Sequence, residues 1–307
     1  MRFSVQTILL AILLVPGTLR SQPAAQAPTP ADSLFQDGVA QLSQGKYPDA
    51  EASFRKLSEL EPTTSRGILG LADVWLAQKK GEDALRMLQE ESSKNPTRGD
   101  LHFGIANAAL RTGSPDLALA EFQFVLDHID RNSKTAAELY LRMGEAYRLK
   151  GDMEFAIKVL QQAQALQPSN LTILNVLAVN LDNAGQKEAA ATHYRKILEL
   201  DPNSGVALNN LAFNLADTDK DPTLALAYAL RARQLFPNAP TIIDTLGWVY
   251  VKLKRPDDAL PLFRDLVQKN SGSVAFRYHL AAALEMMFGE RGLERTVAFF
   301  SSGPAAH

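Results

Sequence analysis

The strongest constraint on the fold of this 307-residue chain is an internal repeat of 34 residues. Alanines recur at this interval, and in five of seven units a proline follows twelve residues after the alanine. The step is longer in two places, 38 residues before Ala156 and 35 before Ala225, which predicts loops with insertions there. A fixed period of about 20–50 residues is typical of stacked repeat architectures. The repeating alanines are Ala50, Ala84, Ala118, Ala156, Ala190, Ala225 and Ala259.

Each unit carries the apolar pattern of two packed helices. Leu208, Leu211, Ala212 and Leu215 fall at i, i+3, i+4 and i+7, which forms one apolar face of a helix. The repeating alanine lies on a second helix, and a large residue such as Phe54 follows it four positions later. A small residue in the middle of the first helix predicts close approach of the two helices. These small residues are Gly38, Ala72, Ala106, Gly144, Ala178, Ala212, Gly247 and Ala281.

Glycines and prolines mark the predicted helix ends. Gly45, Gly113, Gly151 and Gly185 suit the left-handed conformation that often ends a helix. The repeated proline stops the second helix, because it has no N–H to donate and its ring blocks the preceding turn.

The units resemble the tetratricopeptide repeat (TPR), whose pattern is W-x2-L-G-x2-Y, A-x3-F and P over about 34 residues. The resemblance implies an all-α fold, a right-handed α-solenoid of tandem helix-turn-helix TPR units with a C-terminal capping unit. A last unit that lacks the alanine and the proline is expected in a cap, because its outer face meets water. The unit closest to the pattern, 137–170, carries Tyr140, Met143, Gly144, Tyr147, Ala156, Leu160 and Pro168.

The repeat organises nearly all of the chain after residue 30. We expect a TPR solenoid over 31–300 and a short tail over 301–307. The expected units are 31–64, 65–98, 99–132, 137–170, 171–204, 205–239 and 240–273, followed by the capping unit 274–300.

The N-terminus has the pattern of a secretory signal. Arg2 precedes a short apolar run from Ile8 to Val15, which Pro16 ends. Eight apolar residues are too few to cross a bilayer core, which needs about 20. We therefore expect a signal peptide over 1–21, with a cleavage site that could extend to about residue 27, and a disordered Pro/Ala/Gln spacer over 22–30. This predicts an exported protein, periplasmic or secreted, whose contact with a membrane would come only from an uncleaved N-terminal segment.

Composition excludes several classes of site. The net charge of −2 gives no electrostatic footprint for nucleic acid. Cysteine is absent, so a disulfide, a thiolate nucleophile, a cysteine zinc site and N-terminal lipidation are all excluded. We expect neither a metal nor a cofactor.

No catalytic motif stands out in the sequence. H-E-x-x-H, G-x-S-x-G, a Walker loop and G-x-G-x-x-G are all missing. The segment from Asp217 to Pro222 resembles the start of a calcium loop, but Pro222 and Tyr228 stand where glycine and glutamate are needed. A solvated turn with Asp221 and Pro222 beginning the next helix fits better. The histidines have no ligand spacing and are interpreted as structural: His102, His128, His193, His279 and His307.

The family resemblance implies a concave groove lined by the first helix of each unit, which usually binds peptides or partner segments. The candidate lining residues lie off the apolar stripe, at a spacing of four. A lysine and asparagine carboxylate clamp known in some relatives is not carried over, because Phe103 stands where the lysine is needed. The candidates are Phe103, Asn107, Leu141, Glu145, Asn175, Asn209, Phe213, Asp244, Trp248 and Tyr278.

Two roles fit these features, and neither makes the chain an enzyme. The first is a non-catalytic scaffold that binds a protein or peptide partner in an exported or cell-envelope assembly. The second is an accessory subunit that binds a polysaccharide or peptide for a separate enzyme. Residues 209–250 resemble exported bacterial TPR proteins, some of them associated with exopolysaccharide export or surface-sorting systems. For Phe213 and Trp248, a groove contact and local packing against neighbouring helices both stay open.

Overall fold

A computed structural model describes residues 28–218 and 220–289. Within these residues the chain forms fifteen α-helices in tandem hairpins and no β-strand, which confirms the predicted all-α repeat fold. The expected signal peptide, the first part of the spacer and the end of the capping unit lie outside the described residues, as do His307 and Asp219. The chain divides into two compact units, Met1–Val159 and Leu160–His307, and the division falls within α8.

The first unit holds seven complete helices and the start of an eighth. They are α1 (Pro30–Ser43), α2 (Tyr47–Leu60), α3 (Arg66–Ala77), α4 (Gly81–Lys94), α5 (Gly99–Arg111), α6 (Pro115–Asp127), α7 (Lys134–Lys150) and the first part of α8 (Met153–Leu166).

The second unit continues the same alternation of first and second helices. Its helices after α8 are α9 (Leu171–Asn183), α10 (Lys187–Leu200), α11 (Gly205–Asp217), α12 (Pro222–Leu235), α13 (Pro240–Lys252), α14 (Pro256–Lys269) and α15 (Val274–Phe288).

First helices contact their own partner helix and the next first helix. In the first unit α3 packs on α1, α2, α4 and α5, and in the second unit α13 packs on α11, α12, α14 and α15. The candidate partner-binding residues all lie on these first helices.

The repeating alanines form the centre of each packed layer. All seven, from Ala50 to Ala259, are 0% exposed. The large residues four positions later, including Phe54, Tyr194 and Phe263, are also buried. Gly38 lies so close to the Phe54 ring that a Cβ atom there would come within 2.8 Å of it. The predicted role of small residues at the helix contact is therefore confirmed for this pair.

The predicted helix ends follow from the same local chemistry. Gly45, Gly113, Gly151 and Gly185 all have positive φ, between 72° and 87°. The second helices end two residues before their prolines, as in α10, which ends at Leu200. Sequence reasoning missed that Lys79 and Lys254 hold the same left-handed position, with φ of 63° and 57°.

Side-chain caps fix where several first helices begin. Ser133, Asn170, Ser204 and Ser273 each accept a hydrogen bond from a backbone N–H in the first turn of α7, α9, α11 and α15. Asp221 caps α12 in the same way, accepting from Leu224 N at 2.9 Å. The turn before α12 therefore starts that helix as predicted.

Candidate partner-binding surface

In the first unit the candidates lie on two successive first helices. Phe103 and Asn107 belong to α5, Leu141 and Glu145 to α7, and all four are half-buried. Phe103 packs edge-on against the core ring of Phe122, with ring centroids 5.8 Å apart. The Asn107 amide donates to the carbonyl of Phe103 at 3.0 Å. Phe103 and Asn107 therefore already make contacts within the unit.

A carboxylate that was not among the candidates holds the matching position on α3. Asp73 stands one repeat before Asn107, and its side chain is 42% exposed. Partial burial raises the pKa of Asp73, and Arg111, 3.9 Å away, opposes that rise. The 34-residue spacing to Asn107 was the sequence signal for this residue.

In the second unit two asparagines hold equivalent positions on α9 and α11. The Asn175 amide donates to Leu171 O at 2.7 Å, and the Asn209 amide donates to Asn210 Oδ1 at 3.2 Å. The Oδ1 atoms of Asn175 and Asn209 are buried, and neither has a hydrogen-bond partner in the part of the chain that the structure describes. A buried acceptor without a donor costs about 1–3 kcal/mol. Both oxygens are therefore left without a donor in these side-chain positions.

Asp244, one repeat further along on α13, is not open to a partner, which corrects the sequence prediction. Only 7% of this residue is exposed, and His279 Nδ1 lies 2.8 Å from its Oδ1 atom. The packing of α15 on α13 brings the two side chains together in the interior. His279 was interpreted as structural, and its buried pairing with Asp244 agrees with that interpretation. The spacing of 35 residues, one more than the repeat length, places His279 next to the position equivalent to Asp244, and this was the signal that could have linked them.

Trp248 and Tyr278 lie next to this buried pair. The Trp248 ring stacks on His279 with centroids 4.6 Å apart, and the Tyr278 ring is 6.4 Å from Trp248. Trp248 packs partly against the core, and its buried Nε1 atom has no acceptor among the described residues. Tyr278 is 64% exposed. Phe213, which is half-buried on α11, stacks on no ring in the described part of the chain. Two of the three predicted rings are therefore neighbours, and only Tyr278 is widely open.

Asparagines next to the surface hold the first helices to their neighbours. Asn214 Nδ2 donates to Asp182 Oδ1 at 3.2 Å and to Lys187 O at 3.0 Å, so it bridges α11 to α9 and α10. The Asn210 amide donates to the buried Tyr194 hydroxyl at 3.2 Å, and burial raises the pKa of that hydroxyl. These bonds fix the rotation of α11, and with it the direction of Asn209 and Phe213.

Within 28–218 and 220–289, no cluster of three or more histidine, aspartate or glutamate side chains could hold a metal ion. Across those ranges, no helix combines the length and the apolar character needed to span a bilayer.

A tetratricopeptide repeat family model matches residues 128–288, which is more than half of the chain, and a second TPR model matches residues 35–96. The chain belongs to the tetratricopeptide repeat family. TPR proteins are generally non-catalytic scaffolds that bind protein or peptide partners.

One relative of this TPR protein is the type IV pilus assembly protein PilF of Pseudomonas aeruginosa. It is 26% identical over 164 residues, which cover 53% of this chain and 64% of PilF. The chain spans less than two thirds of the length of the curated relatives it matches.

Solved structures of TPR proteins share the fold. The C-terminal part of a TPR protein from Cytophaga hutchinsonii has a TM-score of 0.59 at 17% identity, covering 80% of this chain and 99% of its own. YrrB, a TPR protein with an unusual peptide-binding site, has a TM-score of 0.51 at 18% identity, covering 62% of this chain and 96% of its own.

Proposed function

We propose that this TPR protein is a scaffold that binds an extended segment of a protein partner along the first helices of its second unit, within an exported or cell-envelope assembly. The observation that carries the proposal is a set of three polar atoms with unused hydrogen-bonding capacity. They are Asn175 Oδ1, Asn209 Oδ1 and Trp248 Nε1, on α9, α11 and α13. All three atoms are buried, so a bound peptide would have to turn these side chains toward itself to bond to them.

A polypeptide backbone suits such a set of atoms. Each residue of an extended peptide offers one N–H donor and one C=O acceptor. The two asparagine oxygens need donors and the indole N–H needs an acceptor, so one peptide can serve both kinds of group. Phe213 and Tyr278 lie beside them and supply aromatic surface, which contributes strongly to binding free energy at interfaces.

The accessory-subunit alternative, binding of a polysaccharide, has less support from the same side chains. A sugar ring stacks on an open aromatic face flanked by amides. The Trp248 ring is stacked on His279, and Lys252 Nζ lies 5.4 Å from its centroid. Of the expected rings, Tyr278 alone is widely exposed, which favours a peptide over a saccharide.

Export is the second part of the proposal. Residues 1–21 have the signal pattern, residues 22–30 a spacer composition, and a relative carries the name of a pilus assembly protein. A reporter that is active only outside the cytoplasm, fused after residue 40, should be active. A stable but inactive fusion would contradict export without affecting the proposal for the binding surface.

The binding surface is tested with the partner itself. The mature chain is used to capture its partner from the envelope of its own cells, and the dissociation constant is then measured by calorimetry. Replacing Phe213 and Tyr278 together by alanine should weaken binding at least tenfold, about 1.4 kcal/mol. Trp248 is changed separately, because it packs against the core.

The matched control changes two exposed leucines of the second helix α12. Leu224 and Leu230 are 38% and 46% exposed, and their replacement by alanine should leave the affinity unchanged. Equal affinity of the Phe213 and Tyr278 variant and the wild type, with unchanged circular dichroism, would place the partner on another surface.

A further inference from the structure

A cleft of about 310 Å³ lies in the second unit between α12, α13 and α14. Arg233 from the last turn of α12 lines it, together with Pro240 and Ile243 of α13 and with Asp265 and Lys269 of α14. None of these side chains belongs to the candidate partner-binding surface, so the cleft is a separate feature.

Arg233 is the side chain in this cleft whose charge is not matched. Its Nη1 atom is buried, and no acceptor for it exists among the described residues. A guanidinium group cannot lose its proton in a protein, so the half-buried Arg233 stays charged while its Nη1 donor has no partner. An anion in the cleft would give this group the acceptor that it lacks.

The other charged groups of the cleft are already paired with each other. Lys269 Nζ lies 2.9 Å from the Asp265 carboxylate, one turn earlier on α14. Their charges cancel, so the cleft keeps a single unmatched positive charge, that of Arg233.

The start of α13 adds a second group that favours an anion. Pro240 has no N–H, and the N-cap residue Ala239 makes no side-chain hydrogen bond to the first turn. The neighbouring first helices α11 and α15 do have such a bond, from Ser204 and Ser273. The positive end of α13 is therefore left open where Pro240 borders the cleft.

We infer that this cleft is a binding site for a monoanionic carboxylate with a short aliphatic part. The planar guanidinium of Arg233 matches a carboxylate with two parallel hydrogen bonds. A single unmatched charge suits one negative charge, and it would leave the second charge of a phosphate dianion unmatched. The apolar wall at Ile243 suits an alkyl group. The carboxylate has two sources, the C-terminus of a polypeptide or a free aliphatic acid.

The site is tested by nuclear magnetic resonance titration of the full chain with hexanoate, with neutral hexanamide as the isostere. Hexanoate should shift the Ile243 methyl signals to saturation, and hexanamide should bind at least tenfold more weakly. Arg233→Gln should weaken hexanoate binding at least tenfold. Arg231→Gln is the matched control, since Arg231 is exposed on the same helix and bonds to Asn203 at 3.1 Å.

Folding of the variant is checked by its thermal midpoint. Removal of an uncompensated cation should leave the midpoint of Arg233→Gln at or above that of the wild type, so lost binding would not reflect lost structure. Binding of hexanamide as tight as that of hexanoate would overturn the proposal, because the site would then be merely apolar. Inorganic phosphate binding as tightly as hexanoate would overturn the choice of a carboxylate.

The two sources are separated with acetyl-Ala-Ala-Ala as the free acid and as the amide. Tighter binding of the free-acid peptide than of hexanoate supports a polypeptide C-terminus. Tighter binding of hexanoate supports a small aliphatic acid. Failure of every carboxylate to bind at concentrations up to about 50 mM, a level that detects even interactions near −2 kcal/mol, would overturn the site altogether.

Discussion

Gly247 lies against the ring of Phe263 so closely that a Cβ atom at position 247 would be 2.6 Å from the ring atoms Cε1 and Cζ. Gly38 and Phe54 repeat this relationship in the first unit. The contact between a small residue on the first helix and a large residue on the second is thus a structural element of the repeat.

Replacing Gly247 by alanine should lower the free energy of unfolding by about 1–3 kcal/mol, because the new methyl group overlaps the Phe263 ring. Urea unfolding measures this change. Gly272→Ala is the control, since a Cβ atom there meets nothing within 4 Å. Adding Phe263→Leu should recover part of the loss, because Ala72 and Leu88 form the same pair in another repeat. An unchanged midpoint in Gly247→Ala would contradict the tight contact.

Replacing Lys79 by glycine should raise the free energy of unfolding by about 1 kcal/mol. Lys79 has a φ of 63°, and a side chain in the left-handed region has a steric cost that glycine avoids. The reverse change, Gly113→Ala at a φ of 77°, should destabilise by a similar amount. Thermal and urea unfolding of both variants test the pair. The free energy of unfolding should rise in Lys79→Gly and fall in Gly113→Ala. Destabilisation by Lys79→Gly would count against this explanation.

Removing the Asp244 carboxylate should loosen the contact between α13 and α15. Asp244→Ala leaves His279 buried without its acceptor, at a cost of about 1.5–3 kcal/mol. Trp75→Phe in the background leaves Trp248, which stacks on His279, as the single tryptophan, so its fluorescence reports the change. Asp258→Ala should have little effect, since Asp258 is exposed and its ion pair is with nearby Arg255. Wild-type emission and stability in Asp244→Ala would show that the pair is not structural.

Acid should weaken the attachment of α1 to α3. Hydrogen bonds from Thr29 and Arg66 to the Asp32 carboxylate lower its pKa below the ordinary value of 3.8. Because the pKa of Asp32 is lower in the folded state, its ionised carboxylate contributes fully to the free energy of unfolding above about pH 4. This contribution is lost as the pH falls through the pKa of the folded state. Hydrogen exchange in α1, corrected for intrinsic rates, should therefore accelerate below pH 4 more in the wild type than in Asp32→Asn. Parallel profiles in the two proteins would refute this assignment.

Sequence predicted the features that repeat and missed those that arise between helices. The 34-residue period was enough to identify the buried alanines, because every unit needs a small residue where its helices meet. Lys79 and Lys254 carried no such signal, since lysine is not a residue expected in the left-handed region. Asp244 was assigned to the surface because its position holds Asn175 and Asn209 in other units. Its burial depends on His279, which lies on a different helix.

The same reasoning explains why the cleft was not predicted. Arg233 stands in the last turn of α12, where a basic residue usually faces solvent and the helix dipole. Its place in the cleft results from α13 and α14 together, and neither helix carries a motif that signals it. Whether a charged side chain has a partner on another helix can be seen only when the positions of the helices are known.

The central claim, that the first helices of the second unit bind a polypeptide, is tested most directly by site-specific photo-cross-linking in the native cells. A benzophenone amino acid replaces Phe213 on α11 in one strain and the exposed Leu230 on α12 in another. We predict a protease-sensitive adduct of a defined partner at position 213 and none at position 230. Cross-linking at 230 but not at 213, from chains of equal abundance and stability, would contradict the claim.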